Sequence, residues 1–230
     1  MKSHSFIYLI IYSCFIMSVS LQAQEHFADR YNVSYITMDD GLPHNFIDDI
    51  YKDTCGFLWI STAGGGLSRY DGYEFIHFNP NTPHSKLKSN FIHNVYEDRF
   101  HRLWIVSEGG TDIIDLSTLQ SVVPNDPKGL LPRFINHPTY IVILDSQGCI
   151  WLQCDNALHR ITFDAEGGID TLSTLDLPKQ DEPDLILKDI DEDGKIWTGI
   201  NGTIYKITPT PQGQLEKSSI SEQLTFWPGI

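Results

Sequence analysis

From about residue 40 onward, short apolar runs alternate with clusters of Gly, Asn and Asp. Ile47 to Tyr51, Ile92 to Tyr96 and Tyr140 to Leu144 are rich in β-branched and aromatic residues, and each is followed closely by an Asp. Such segments read as strands that end in a turn. Three residues after the Asp stands Gly56, His101, Gly148 or Gly194. Asp-x-x-Gly predicts a hairpin, because the carboxylate can bond the backbone two residues on and Gly accepts a left-handed conformation. Leu58-Trp59-Ile60 and its counterparts form a second strand. Gly66 to Tyr70 and Gly202 to Ile207 form a third. A fourth is clearest at Tyr73 to Phe78. No helical periodicity appears in this part of the chain.

The pattern repeats. Trp59, Trp104, Trp151 and Trp197 are spaced by 45, 47 and 46 residues, with Asp53, Asp98, Asp145 and Asp191 six residues before them. Leu58, Leu103, Ile150 and Ile196 directly precede the tryptophans, and Leu67, Ile113, Leu158 and Ile204 return behind a Gly- or Asn-rich turn. Four strands in about 46 residues is the arithmetic of a β-propeller blade. The expected fold is all-β: four four-stranded antiparallel blades at residues 40–79, 87–123, 137–175 and 183–215, with 216–230 opening a fifth. Asn32 to Thr37 reads as a strand that would close a complete ring.

Asn45, Asp53-Thr54-Cys55-Gly56-Phe57-Leu58-Trp59-Ile60-Ser61-Thr62 and Gly66 to Gly72 resemble the two-component regulator propeller repeat, as does the preceding Asp40-Gly41-Leu42-Pro43. Blade two keeps Asn90, Asp98 and Leu103-Trp104-Ile105 but has His101 at the Gly column. Blades three and four have His137 and Pro183 at the Asn column. The resemblance covers roughly residues 35–215. It implies the periplasmic sensor region of a Bacteroides-type hybrid two-component regulator, where two seven-bladed propellers and a small β-sandwich precede membrane, kinase, receiver and DNA-binding parts. No kinase or receiver residue maps onto this chain, so the resemblance implies no kinase activity of its own, and the chain is not expected to be an enzyme. The reading is of a truncated or split sensor, in preference to a four-bladed ring. Its open blade edges would favour self-association or a partner carrying the remaining propeller and kinase portion.

Composition adds boundaries. With 16 Lys+Arg against 30 Asp+Glu the net charge is −14, which disfavours nucleic acid and anionic membranes. Lys2, the apolar run Phe6 to Val19 and Ser20-Leu21-Gln22-Ala23 predict a signal peptide over residues 1–23 and a periplasmic chain from 24 to 230. The run is short for an uncleaved membrane anchor. Cys14 reads as filler in it, not as a lipoprotein cysteine. Cys55, Cys149 and Cys154 cannot all pair within one chain and read as small buried residues.

Candidate chemistry is sparse. The column tryptophans read as packing between blades in preference to sugar-stacking platforms, and the column aspartates as structural turns. Asp189-Ile190-Asp191-Glu192-Asp193-Gly194 has calcium-loop spacing, but Ile200 stands where a bidentate Glu is needed, so no metal site or cofactor is assigned. Arg99, His101 and Arg102 form the one compact basic cluster and read as a solvated turn, with an anionic sugar as the alternative. Nucleophile elbows, zinc-protease helices and phosphate loops are missing. The favoured function is a ligand sensor for oligosaccharides from glycans, with contact residues undefined. A propeller lyase or hydrolase would need ionisable residues special to one or two blades, converging at the centre. An interaction scaffold is the third reading.

Overall fold

The computed structural model describes residues 34–83, 86–177, 189–191, 193–200 and 203–219. The expected signal peptide, Pro183, the Asn201-Gly202 turn, Glu192 of the calcium-like loop and residues 220–230 lie outside these. The chain divides into two units, Met1–Ile36 and Thr37–Ile230. In the first, residues 34–36 are neither strand nor helix. The expected closing strand is therefore not formed over its described part. Thr37, its last residue, instead caps a short 3₁₀ turn at Met38–Asp40 through a reciprocal capping box with Asp40.

Among its described residues the second unit holds sixteen strands in four antiparallel sheets, each ordered as it runs in sequence. The first sheet is β1 (Ile47–Lys52), β2 (Leu58–Thr62), β3 (Gly66–Tyr70) and β4 (Phe75–Phe78). The second is β5 (Ile92–Glu97), β6 (Arg102–Ser107), β7 (Gly110–Asp115) and β8 (Gln120–Ser121). The third is β9 (Thr139–Leu144), β10 (Ile150–Cys154), β11 (Ala157–Phe163) and β12 (Ile169–Asp176). The fourth is β13 (Asp189–Ile190), β14 (Ile196–Ile200), β15 (Thr203–Pro209) and β16 (Leu215–Ser219). Strand β16 thus carries the fourth sheet past residue 215, the expected boundary of a fifth blade.

One loop design closes the first hairpin of every sheet. The Asp N–H donates to the carbonyl four residues on, and the residue at the Gly column donates back to the Asp carbonyl (Asp53–Phe57 and Gly56–Asp53, both 3.0 Å). That column residue is left-handed, with φ of 95° at Gly56, 76° at Gly148 and 75° at Gly194. His101 is forced to 57° in the second sheet. The carboxylate serves both ends of the loop. Oδ1 accepts the backbone N–H four residues on, from Phe57, Arg102, Cys149 or Lys195. Oδ2 accepts the indole N–H of the column Trp at 2.8–3.0 Å in all four sheets. The aspartates thus fix the turn and also satisfy the polar edge of a buried ring.

Each buried tryptophan joins a core with the next sheet. Trp59 shares one with Val95, Leu103 and Ile105. Trp104 shares one with Val142, Ile150 and Leu152, and Trp151 another with Ile196 and Ile207. All three rings are fully buried; truncating one would cost roughly 3–5 kcal/mol. Trp197 is 40% exposed, with no further described sheet beside it.

Two readings are corrected. Arg102 does not lie in a solvated turn, although Arg99 and His101 at the same tip are exposed. Arg102 is buried, pairs with Asp98 (2.7 Å) and donates to the Gly167 carbonyl in the next sheet's outer hairpin, while Arg99 donates to the Phe163 carbonyl. His101 pairs with Glu97, which also accepts both the N–H and the hydroxyl of Thr54 in the preceding sheet. The cluster staples three sheets together. Cys149 and Cys154 are buried free thiols, but Cys55 is exposed because it occupies the tip of the first hairpin.

Candidate functional site

The first strands of the first three sheets run side by side. Asp49 Oδ2 accepts the Val95 N–H (3.2 Å), linking β1 to β5, and the Asn94 amide both donates to and accepts from the Val142 backbone (3.0 Å each), linking β5 to β9. At this inner edge the ladders share an irregularity. In β1, Ile47 faces Thr62 and Asp49 faces Ser61, so Asp48 is an extra residue. In β5, Ile92 faces Ser107 and Asn94 faces Val106, so His93 is extra. In β9, Thr139 faces Cys154 and Ile141 faces Gln153, so Tyr140 is extra. Three successive sheets carry a β-bulge five residues before the column Asp, and the bulged residue differs each time. Bulges break local pairing and re-aim a side chain, which is why they gather near functional sites.

Asp48, His93 and Tyr140, with their neighbours Asp49, Asn94 and Ile141, line a cavity of about 390 Å³. The His93 and Tyr140 rings lie 5.7 Å apart at 36°. Burial pushes the Asp49 carboxyl up, partly offset by the Val95 and Ile50 N–H groups. Burial pushes the His93 imidazole down, against the opposing fields of Glu108 and Asp48. Its Nε2 is buried without a hydrogen-bond partner among the described residues. Burial raises the Tyr140 phenol, helped by Asp155, Cys154 and Glu108. Near neutral pH the cavity thus presents a neutral imidazole, a phenol and carboxyl groups. The Asn94 amide is committed to holding β9.

A second cavity of about 370 Å³ lies by the first hairpin tips, lined by Cys55, Phe100, His101, Asp115, Leu116 and Ser117. Its polar groups are engaged internally: His101 with Glu97, and Asp115 with Ser117 and Thr118. The cavity at the bulges is the better candidate.

None of the repeat-column residues lines the bulge cavity. Asp53, Asp98 and Asp145 are buried under the hairpins with Trp59, Trp104 and Trp151, and Asp191 with Trp197 keeps the same bond in a more exposed setting. The cavity residues escape a search for repeats because they are what changes between copies. The signal available was that variation: Asp48, His93 and Tyr140 occupy one column between otherwise similar neighbours. No group of His, Cys, Asp or Glu among the described residues is arranged to hold a metal ion.

Four-stranded antiparallel sheets, the first three set side by side at their first strands, are the blades of a β-propeller, and the four blades among the described residues make an incomplete one. Residues 41–64 and 86–109 match the two component regulator propeller family, so the first two blades carry that family's repeat. No curated protein sequence matches the chain. Among solved structures it is similar to the extracellular domain of BT4673 from B. thetaiotaomicron, described as a hybrid two component system: 24% identity, TM-score 0.54, covering 79% of this chain and 25% of that one. It is also similar to the extracellular domain of BT3049 from the same organism, with 19% identity, TM-score 0.52, and 81% and 32% coverage. A streptogramin B lyase matches at 18% identity and TM-score 0.50, covering 77% and 55%. The chain spans a quarter to a third of the two extracellular domains. No helix among the described residues is long and apolar enough to cross a membrane.

Proposed function

We propose that the chain is a ligand-sensing propeller segment of an exported two-component signalling protein, and that the bulge cavity receives oligosaccharides released from glycans. The observation that carries this reading is the bulge repeated in β1, β5 and β9, which presents a different polar side chain at each turn of an otherwise regular scaffold. A sugar needs such a mixture of acceptors and donors with an aromatic face beside them. Export is supported by Lys2 and the apolar run that follows, and by similarity to extracellular domains. Signalling would follow from ligand biasing the arrangement of this segment against the rest of the sensor or a partner chain.

A lyase or hydrolase is the second reading, because Asp48, His93 and Tyr140 are ionisable groups special to single blades that converge on one cavity. Incubating the purified chain with oligosaccharide pools, while following its melting temperature and the length of the sugars, separates the two. Sensing predicts a rise in melting temperature with intact sugars, lost in H93A and Y140F. Shortened sugars would replace the sensor reading with the enzyme. Neither response would leave only a scaffold.

A further inference from the structure

The free chemistry of the bulge cavity is lopsided. Six residues line it, none of them Lys or Arg, and two are aspartates. Asn94, the one lining side chain with amide donors, spends its amide on the Val142 backbone. His93 is a half-buried ring that burial keeps neutral, so it brings no cationic charge to the lining. The charges nearest the two rings are also anionic: Glu108 and Asp48 act on His93, and Asp155 and Glu108 on Tyr140. Phe46 and Phe91, immediately before β1 and β5, are 64% and 52% exposed. Their position adds aromatic surface near the strands that carry the bulges.

We propose that this cavity selects ligands presenting a protonated amine and discriminates against carboxylate- or sulfate-bearing ones. The proposal rests on the cavity being the ligand site and adds the chemical class. An ammonium group supplies three N–H donors where the lining offers acceptors, and its charge is held by Asp48 and Asp49 together. Aromatic faces beside carboxylates reinforce the choice, since a cation is attracted to a ring's π-face and an anion is not. Amino sugars and short peptides with a free N-terminus share this chemistry.

Calorimetric titration of the full chain at 150 mM salt tests it with defined probes: a glucosamine disaccharide, its di-N-acetylated form, a galacturonic acid disaccharide, and glycylglycine amide as an amine that is not a sugar. The free-amine disaccharide is expected to bind at least tenfold more tightly than the acetylated one, with the galacturonic acid disaccharide weakest. D48N/D49N should remove that tenfold preference. E74Q/E166Q, with the same change of charge at exposed sites on outer loops, should retain the preference. Equal binding of the free and acetylated disaccharides overturns the amine proposal but leaves the sugar site standing if H93A abolishes both. Binding of glycylglycine amide without any disaccharide supports the amine and removes the oligosaccharide. Stronger binding of the galacturonic acid disaccharide, or no binding of either amine probe, overturns the proposal. The comparison of probes on the unaltered chain decides the matter even if a variant fails to fold.

Discussion

Replacing Asp145 by Ala removes four hydrogen bonds from one buried carboxylate. Oδ1 accepts the N–H groups of Gln147 and Cys149, both at 2.9 Å. Oδ2 accepts Trp151 Nε1 at 3.0 Å and Arg160 Nε at 3.1 Å. The Arg160 side chain is 8% exposed and the Asp145 side chain not at all. Removing the anion orphans a desolvated guanidinium, whose remaining polar partners here are the neutral Gln147 Oε1 and Cys149 Sγ. Breaking a buried pair from one side costs roughly 3–5 kcal/mol, a large share of the roughly 5–15 kcal/mol that holds a typical domain. Asp191→Ala in the fourth sheet deletes the same turn and indole bonds, but in a more exposed setting without a buried Arg. It should cost about 1–2 kcal/mol. Urea unfolding followed by circular dichroism measures both. Arg160→Met added to Asp145→Ala should return about 2 kcal/mol or more, because it removes the orphaned charge. Equal midpoints for the two Asp→Ala variants, or no recovery in the double variant, would refute the assignment of a charge-bearing node in the third blade.

Three further outcomes follow from local geometry and titration. Gly66→Ala should cost more than about 2 kcal/mol, since φ is 83° and an added Cβ would meet the Phe78 carbonyl oxygen at 2.4 Å; the melting temperature reports it. His159 is buried and held down to about 4, so it stays neutral in the native state while the unfolded chain takes up a proton. Its contribution is intact above an unfolded pKa of about 6.5 and declines as pH falls toward the native value, by about 3 kcal/mol across that window. His159→Gln should flatten the urea midpoint between pH 6.5 and 5. Among the described cysteines a thiol reagent should label Cys55 alone in the native state, because burial raises the Cys154 thiol to about 11 and also raises Cys149. Mass spectrometry of the labelled peptides checks this.

The repeat was legible because its columns are dictated by local needs: an Asp to hold a tight turn and a Trp N–H, a Gly or strained His at positive φ, and a ring large enough to reach the next sheet. Asp53 and Trp59 satisfy one another within six residues, and sequence reveals such pairs. Arg102 was misread because its second partner is the Gly167 carbonyl, 65 residues away across a blade boundary. Cys55 looks apolar in isolation, yet a hairpin tip has no core to enter. The bulges were hidden for a different reason. Periodicity shows only that β1, β5 and β9 alternate; it does not show where a ladder skips a residue. Asp48, His93 and Tyr140 therefore looked like noise in a pattern that they in fact interrupt at one register.

A residue outside the ladder has no partner across the strand pair whose register it must match. Exchanging Asp48, His93 or Tyr140 therefore leaves the hairpin aspartates, the indole cores and the Asn94 bridge untouched. Each of the first three blades so contributes one interchangeable position on a frame maintained by others. On the proposed function, selectivity would be rewritten one blade at a time, and grafting a relative's three residues at these positions onto this chain would be the shortest route to a new preference.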